Sequence, residues 1–272
     1  MREFSETNLA KLMSLGGRRV LLTGGAGHIG VVMAQTLAEM GADVLLVDRD
    51  VDKLKQVAST LEQECEQAIK YRVCDLEDEN ARLDLIKAVQ DDEFGPDILV
   101  NNAAFVGTSG LPGWSAPFEE QSVDTWRRAF EVNVTAAFHL SQAFLPQLRS
   151  SGRGAIVNIG SIYGELGPDW NLYEGTTMAN PAAYSASKGG LLQLTRWLAT
   201  TIAPDVRVNA ISPGGVARGQ PLSFISKYEE RCPLGRMAEE DDFRGAIAYL
   251  ASDLSAYVTG QTLVVDGGWS TW

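Results

Sequence analysis

The octapeptide TGGAGHIG at residues 23–30 constrains the fold of this chain more than any other segment. It follows the apolar run RRVLL (18–22) and precedes a second, IGVVMAQTLAEMGA (29–42). A strand that turns on glycine into a helix presents free backbone N–H groups and a partial positive charge at the helix start. Gly24 permits the tight turn, and Gly27 and Gly30 allow close approach to a pyrophosphate. His28 and Ile29 open the helix beside those phosphates. A ligand-free strand-to-helix turn would share these features. The next strand, DVLLVD (43–48), argues for the nucleotide, because it ends in Asp48, 24 residues after Gly24. That is close to the offset of about 20 residues expected of a ribose-binding acid. Asp48 would accept both ribose hydroxyls of NAD and repel the 2′-phosphate of NADP. Arg49 follows it and could hold that phosphate instead. NAD is the expected cofactor, with NADP the less favoured choice.

Downstream, Tyr184 and Lys188 stand four residues apart in AYSASKGGLLQLTRWLA. On a helix this spacing brings both to one face. A phenol titrates near pH 10, about three units too high for a base at neutral pH, and a nearby cation lowers that value. The pair can therefore exchange a proton with a hydroxyl or carbonyl substrate. On its own the pattern also fits a surface Tyr beside a solvated Lys.

Strand-like runs alternate with amphipathic stretches along the chain: IKYRVCD (69–75), DILVNNA (97–103), GAIVNIGS (154–161), VRVNAISPGG (206–215) and TLVVDGG (262–268) join the two already named. A helix is expected to carry Leu54, Val57, Ala58, Leu61 and Cys65 on one face, and one long helix to span about residues 123–148. Another is expected near residues 241–251. Seven strands alternating with helices predict an α/β fold, a Rossmann-like doubly wound parallel sheet covered by helices on both faces. Residues 1–16 read as an N-terminal extension and 17–272 as one domain. Segments 164–183 and 215–232 break the rhythm and follow strands on the side where such sheets bind ligands.

Composition narrows the function. With 23 Lys and Arg against 35 Asp and Glu, the net charge is −12, which argues against a nucleic-acid or anionic-membrane partner. No apolar run is long enough to span a bilayer, and the first residues lack a signal-peptide block. Cys65, Cys74 and Cys232 show no metal or redox spacing, so a reducing cytoplasm and no metal are expected. His28 and His139 are the only histidines, leaving little from which to build a zinc site or a Ser–His triad.

Together these residues resemble the short-chain dehydrogenase/reductase family, in its shorter single-domain branch, over about residues 17–268. The matching motifs occur in the family's order. They are the glycine loop, Asp75 and Leu76 in CDLED for the adenine, and NNAA (101–104) with Asn102, Ala103 and Ala104 along the cofactor. Asn133 in VNVTAAF, Ser161 in VNIGS, Tyr184 and Lys188, then Pro213 and Gly214 over the nicotinamide follow. The resemblance implies that Tyr184 exchanges the proton while hydride passes to or from the nicotinamide. Lys188 would lower the Tyr184 pKa and hold the ribose, Ser161 would orient the substrate oxygen, and Asn133 would position a relay water. It also implies a homo-oligomer, a tetramer or a dimer, with the helix around Leu191, Leu194 and Trp197 and the C-terminal GGWSTW as interface surfaces.

Three departures stand out. His28 takes the place of the short branch's middle glycine, either reaching toward the phosphates or simply exposed. Arg218 stands where a Thr usually meets the carboxamide, a contact the backbone of Val216 could supply. Ser161 and Tyr184 lie 23 positions apart, a wider gap than usual. Its segment YEGTTMANPAAY, with VRVNAISPGGVARGQP, is similar to enzymes of flagellin modification and nonulosonic-acid sugar pathways. That likeness implies a sugar or sugar-derived substrate, for which Trp170, Tyr173, Glu174 and Arg218 are candidate contacts. The loop could equally be self-packed. Arg218, Lys227 and Arg231 could bind a substrate phosphate or form a solvated lid face. Against the dehydrogenase reading stand a 3-oxoacyl or generic ketone reductase, disfavoured by Asp48, and a non-enzymatic dinucleotide sensor, disfavoured by the complete proton-transfer set.

Overall fold

The computed structural model describes residues 8–92, 94–106 and 111–272; residues 1–7 of the expected extension lie outside the described residues. Seven strands among them form one sheet: β1 (Arg19–Thr23), β2 (Asp43–Asp48), β3 (Ile69–Val73), β4 (Ile98–Asn101), β5 (Gly154–Ile159), β6 (Val206–Pro213) and β7 (Thr262–Val265). All neighbours run parallel, in the order β3-β2-β1-β4-β5-β6-β7. The chain builds outward from β1 to β3, returns to β4, and builds the other way. The crevice beyond the β1 and β4 carboxyl ends is therefore the switch point at which such sheets bind ligands.

The helices are α1 (Leu9–Met13), α2 (His28–Glu39), α3 (Val51–Glu64), α4 (Glu79–Asp91), α5 (Val123–Phe130), α6 (Ala136–Ala143), α7 (Leu145–Ser150), α8 (Ala182–Thr201), α9 (Leu222–Arg231) and α10 (Arg244–Ala251). Side chains alternate across a strand, and the two faces make two cores. Val20, Leu22, Val44 and Leu46 pack with Met33 and Leu37 of α2, Leu54 of α3 and Ile247 of α10. Leu21, Leu45, Leu99 and Ile156 pack with Leu85 of α4, Leu140 of α6 and Leu198 of α8. Burial on both faces explains why the inner strands β1, β2 and β4 are continuous apolar runs rather than alternating ones. Leu15, on the extension side of residue 17, is also fully buried, and its N–H donates to the Met40 carbonyl at 2.8 Å.

The long helix expected over residues 123–148 runs unbroken only to Ala143. Within it a π turn at Glu131–Thr135 joins α5 to α6 and carries Asn133, and Phe144 interrupts it before α7. Pro146 sits in the first turn of α7; without an N–H it cannot continue the ladder from α6. The two irregular segments also gain structure, because they pack on each other. A 3₁₀ turn at Trp170–Tyr173 meets α9, with Tyr173 edge-on to Phe224 at 5.5 Å and Tyr228 stacked on Trp269 at 5.8 Å. Arg231 pairs with Asp169 at 2.6 Å and lies over the Trp269 ring. Leu191 and Trp269, expected at an interface, are buried within the subunit, whereas Trp197 and Trp272 are exposed.

Candidate active site

The glycine loop is built by steric necessity. Gly24 has φ +66°, and a Cβ on Gly30 would lie 2.1 Å from the Gly24 carbonyl oxygen. No side chain other than hydrogen fits there. Asn102 fixes the loop from below, its side-chain amide donating to the carbonyls of Thr23 at 3.1 Å and Gly24 at 3.0 Å. Its neighbour Asn101 points the opposite way, into the sheet, and donates to Asn158 Oδ1 at 2.8 Å. Gly27 ends the loop as the N-cap of α2 with no side-chain cap. The first amides of α2 are thus left for an anion.

A cavity of about 630 Å³ runs from this loop across the sheet's carboxyl edge. Every residue assigned to the cofactor from sequence lines it: Gly24, Gly27, His28, Ile29 and Gly30 of the loop, Asp48, Arg49, Asp75, Leu76, Asn102, Ala103, Ala104, Tyr184, Lys188, Pro213, Gly214 and Val216. Asp48 accepts from the Ala26 N–H at 3.1 Å and the Arg49 N–H at 2.7 Å, so its carboxylate is held in place at the loop. Asp75 accepts from the Glu77 N–H at 3.0 Å. The Pro-Gly segment is anchored by Tyr228 of α9, whose hydroxyl accepts from the Gly215 N–H at 2.7 Å. The narrow glycine cradle, the uncapped helix and the carboxylate at the β2 end fit a nicotinamide dinucleotide.

At the far end of the cavity stand Ser161, Tyr184 and Lys188. Lys188 is almost fully buried, and its Nζ donates to the Ile159 carbonyl at 2.7 Å. Burial pulls its pKa down to about 8. Burial pushes the Tyr184 phenol up, opposed by a hydrogen bond with Ser161 and by the charge of Arg218. The downward pull that the sequence assigned to Lys188 thus has two other sources, while the Lys188 Nζ sits 5.8 Å from the Tyr184 ring centroid. Together these groups can hold one substrate oxygen and exchange a proton with it.

Asn133 is not on the cavity wall. It is 1% exposed, its Oδ1 accepts from the Phe105 N–H at 2.6 Å, and its Nδ2 donates to Ser187 Oγ at 2.9 Å. It ties the segment after β4 to the helix that carries Tyr184 and Lys188. Its side chain is engaged in that brace, rather than free to hold a water.

The substrate contacts expected from sequence divide. Tyr173 lines a second cavity, of about 270 Å³, which shares Val106 and Tyr184 with the first. Trp170 does not line it. Residues three apart eclipse on a 3₁₀ turn, so Trp170 lies outside Tyr173, 57% exposed, with ring centroids 5.7 Å apart. Glu174 points to solvent and pairs with Lys227 at 3.5 Å. Lys227 also donates to the Asn171 carbonyl at 2.6 Å. With Arg231 held by Asp169, both cations brace the two segments against each other. Arg218 does line the first cavity, 3.4 Å from Glu240, and the same carboxylate stands 3.7 Å from His28. The two residues that break the family's pattern therefore face one acid across the cavity mouth. Sequence reasoning missed Glu240, Tyr163 and Asn180. For Tyr163, two positions after Ser161, proximity was a signal; for the others there was none. Among the described residues no group of three or more His, Cys, Asp or Glu could hold a metal ion.

A family model described as enoyl-(acyl carrier protein) reductase matches residues 24–270. The chain is 36% identical to cis-4-hydroxycyclohexanecarboxylate dehydrogenase of Sinomonas cyclohexanicum, over 93% of this chain and 96% of that protein. The chain belongs to the short-chain dehydrogenase/reductase family. It is also 34% identical to gluconate 5-dehydrogenase of Gluconobacter oxydans, over 94% of this chain and 96% of that protein. The crystal structure of a gluconate 5-dehydrogenase from Burkholderia cenocepacia, in complex with NADP and tartrate, superimposes with a TM-score of 0.84 at 30% identity. It covers 97% of this chain and 100% of its own. This short-chain dehydrogenase/reductase is thus an oxidoreductase of the alcohol–ketone class, similar to dehydrogenases of sugar acids and cyclic alcohols. The narrower likeness to flagellin-modification enzymes is not confirmed by these matches.

Proposed function

We propose that the protein is an NAD-dependent dehydrogenase interconverting a secondary alcohol and its ketone on a sugar or a sugar-derived, compact polyol. The observation that carries this reading is Tyr184, with Ser161 and Lys188 beside it, on the wall shared by the larger cavity and the smaller one. The glycine loop and the α2 amides would hold the pyrophosphate, and Lys188 a ribose. When bound, the nicotinamide would supply the hydride acceptor or donor. Ser161 holds the substrate oxygen. Tyr184 takes its proton in oxidation and returns it in reduction. Asn133 acts as a positioning residue through Phe105 and Ser187. Tyr163 and Tyr173, joined hydroxyl to hydroxyl at 2.8 Å, offer aromatic surface to the C–H face of a sugar.

NAD is preferred because Asp48 is fixed where the ribose hydroxyls would lie and a 2′-phosphate would meet its charge. Calorimetric titration is expected to give NAD(H) binding about tenfold tighter than NADP(H), the effect of one unfavourable charge contact. Equal or tighter NADP(H) binding would transfer control to Arg49, as the NADP bound in the Burkholderia relative allows.

The working form is a homo-oligomer, a tetramer or a dimer, in a reducing cytoplasm. All three cysteines are free, and Trp126, Phe138 and Trp197 are 40%, 41% and 54% exposed, apolar side chains that a subunit contact would cover. Light scattering at micromolar concentration is expected to report a multiple of 29.4 kDa; a monomer mass rules this out.

A further inference from the structure

The second cavity is lined by a polar side chain that the protein satisfies at one end only. Its walls are mainly apolar or aromatic: Trp114, Tyr163, Tyr173, Met178 and Pro181, with Tyr184 where it meets the cofactor cavity. Ser115 and Asn180 interrupt them. Asn180 is 6% exposed, and its Oδ1 accepts from the Ser185 hydroxyl at 3.2 Å. Its Nδ2 is buried and has no hydrogen-bond partner among the described residues. A buried amide left in this state is costly, and a leucine of similar size would avoid the cost. Whichever way the amide is turned, one end stays unpaired.

The position of Asn180 gives the amide a geometric role. It precedes Pro181, the N-cap of α8, and lies four residues before Tyr184. Its bond to Ser185 ties it to the first turn of the helix that carries the phenol. The amide and the phenol therefore keep a fixed separation across one small cavity. At about 270 Å³, that cavity falls just below the range of about 300–1,000 Å³ typical of drug-sized ligands. That volume suits a single substituted ring.

We propose that Asn180 is a specificity-determining residue that hydrogen-bonds a second hydroxyl of a compact ring alcohol while Tyr184 and Ser161 engage the first. The ring lies between Trp114, Tyr163, Tyr173 and Met178. This inference rests on the dehydrogenase reading given above and deepens it by naming the substrate's shape. An open-chain polyol would lose more conformational freedom on entering than a ring.

The test compares wild type, Asn180→Ala and Asn180→Leu on cyclohexanol and on the cis and trans forms of cyclohexane-1,2-diol, -1,3-diol and -1,4-diol. NADH formation is followed in each case. Wild type is expected to favour at least one diol over cyclohexanol in kcat/KM. Both variants should reduce that preference by about tenfold, the loss of one hydrogen bond, and leave cyclohexanol nearly unchanged. A preference that survives in both variants overturns the proposal while the dehydrogenase reading stands. Equal losses on cyclohexanol and the diols also overturn it, and assign Asn180 to folding of the loop. If wild type oxidises none of the probes with NAD or NADP, the ring-diol proposal and the substrate class it rests on fall together.

Discussion

Tyr184→Phe is expected to lower kcat for the native substrate by about 10³-fold, the middle of the range for losing a general acid–base group. NAD affinity should change by no more than about threefold. The ring itself remains, so the wall it shares between the two cavities keeps its shape. Only the hydroxyl, which exchanges the proton, is removed. In the wild-type protein burial holds the phenol above its usual range, and Ser161 and Arg218 pull it back. Alcohol oxidation should therefore rise with pH as the phenolate forms, and this rising limb should vanish in the variant. Loss of kcat and kcat/KM in equal measure would mark an interaction made in the transition state. Retention of most activity on the native substrate would assign the proton transfer to another group.

The parts of the site that could be read from sequence are those enforced by local sterics or local periodicity. The glycine loop is legible because nothing but hydrogen fits at Gly30, 2.1 Å from the Gly24 carbonyl for any added Cβ. Tyr184 and Lys188 are legible because helical spacing alone brings them together. The side-chain bonds of Asn133, to Phe105 and Ser187, could not be read from sequence. The π turn that carries it adds a residue to the helical turn, which rotates the following residues by about 100° relative to an unbroken helix. Hydrophobic pattern over residues 123–148 does not reveal that extra residue.

The substrate loop was harder for a different reason. Its outcome depends on partners far away in sequence. Asp169 and Arg231 lie 62 residues apart, and Asn171 and Lys227 lie 56 apart. Residue types showed that the loop had aromatic and charged groups, but not that most of them face the other segment. Tyr173 and Trp170 differ in fate only because one edge of the 3₁₀ turn packs on Phe224. Asn180 carried no signal, since an Asn before a Pro is ordinary turn chemistry. Its interest comes from being buried without a partner.

Lys188→Met is expected to make the protein more stable and nearly inactive at the same time. The amine is almost fully buried, and burial lowers its pKa from 10.5 to about 8. Between those values the unfolded chain holds a proton that the folded chain has released. Stability therefore rises with pH across that window, and is lost as pH falls through about 8. At about 1.4 kcal/mol per unit, the charged amine costs the fold about 3 kcal/mol at pH 7. Met removes this cost and gives up the bond to the Ile159 carbonyl, worth about 1 kcal/mol. Denaturant unfolding at pH 7 should thus show a gain of about 2 kcal/mol. Above pH 10.5 the order should reverse, by about the value of the lost hydrogen bond. The tyrosines that titrate at high pH are present in both proteins and cancel in the comparison. Turnover should fall on the order of 10²-fold or more, and KM for NAD should rise, because the same amine would steady the ribose and the proton path. A residue kept at a cost to stability is kept for chemistry. If the Met variant is several kcal/mol less stable at pH 7, the buried charge is not a cost and the amine is structural. If it is stable and still turns over at the wild-type rate, Lys188 has no part in the reaction.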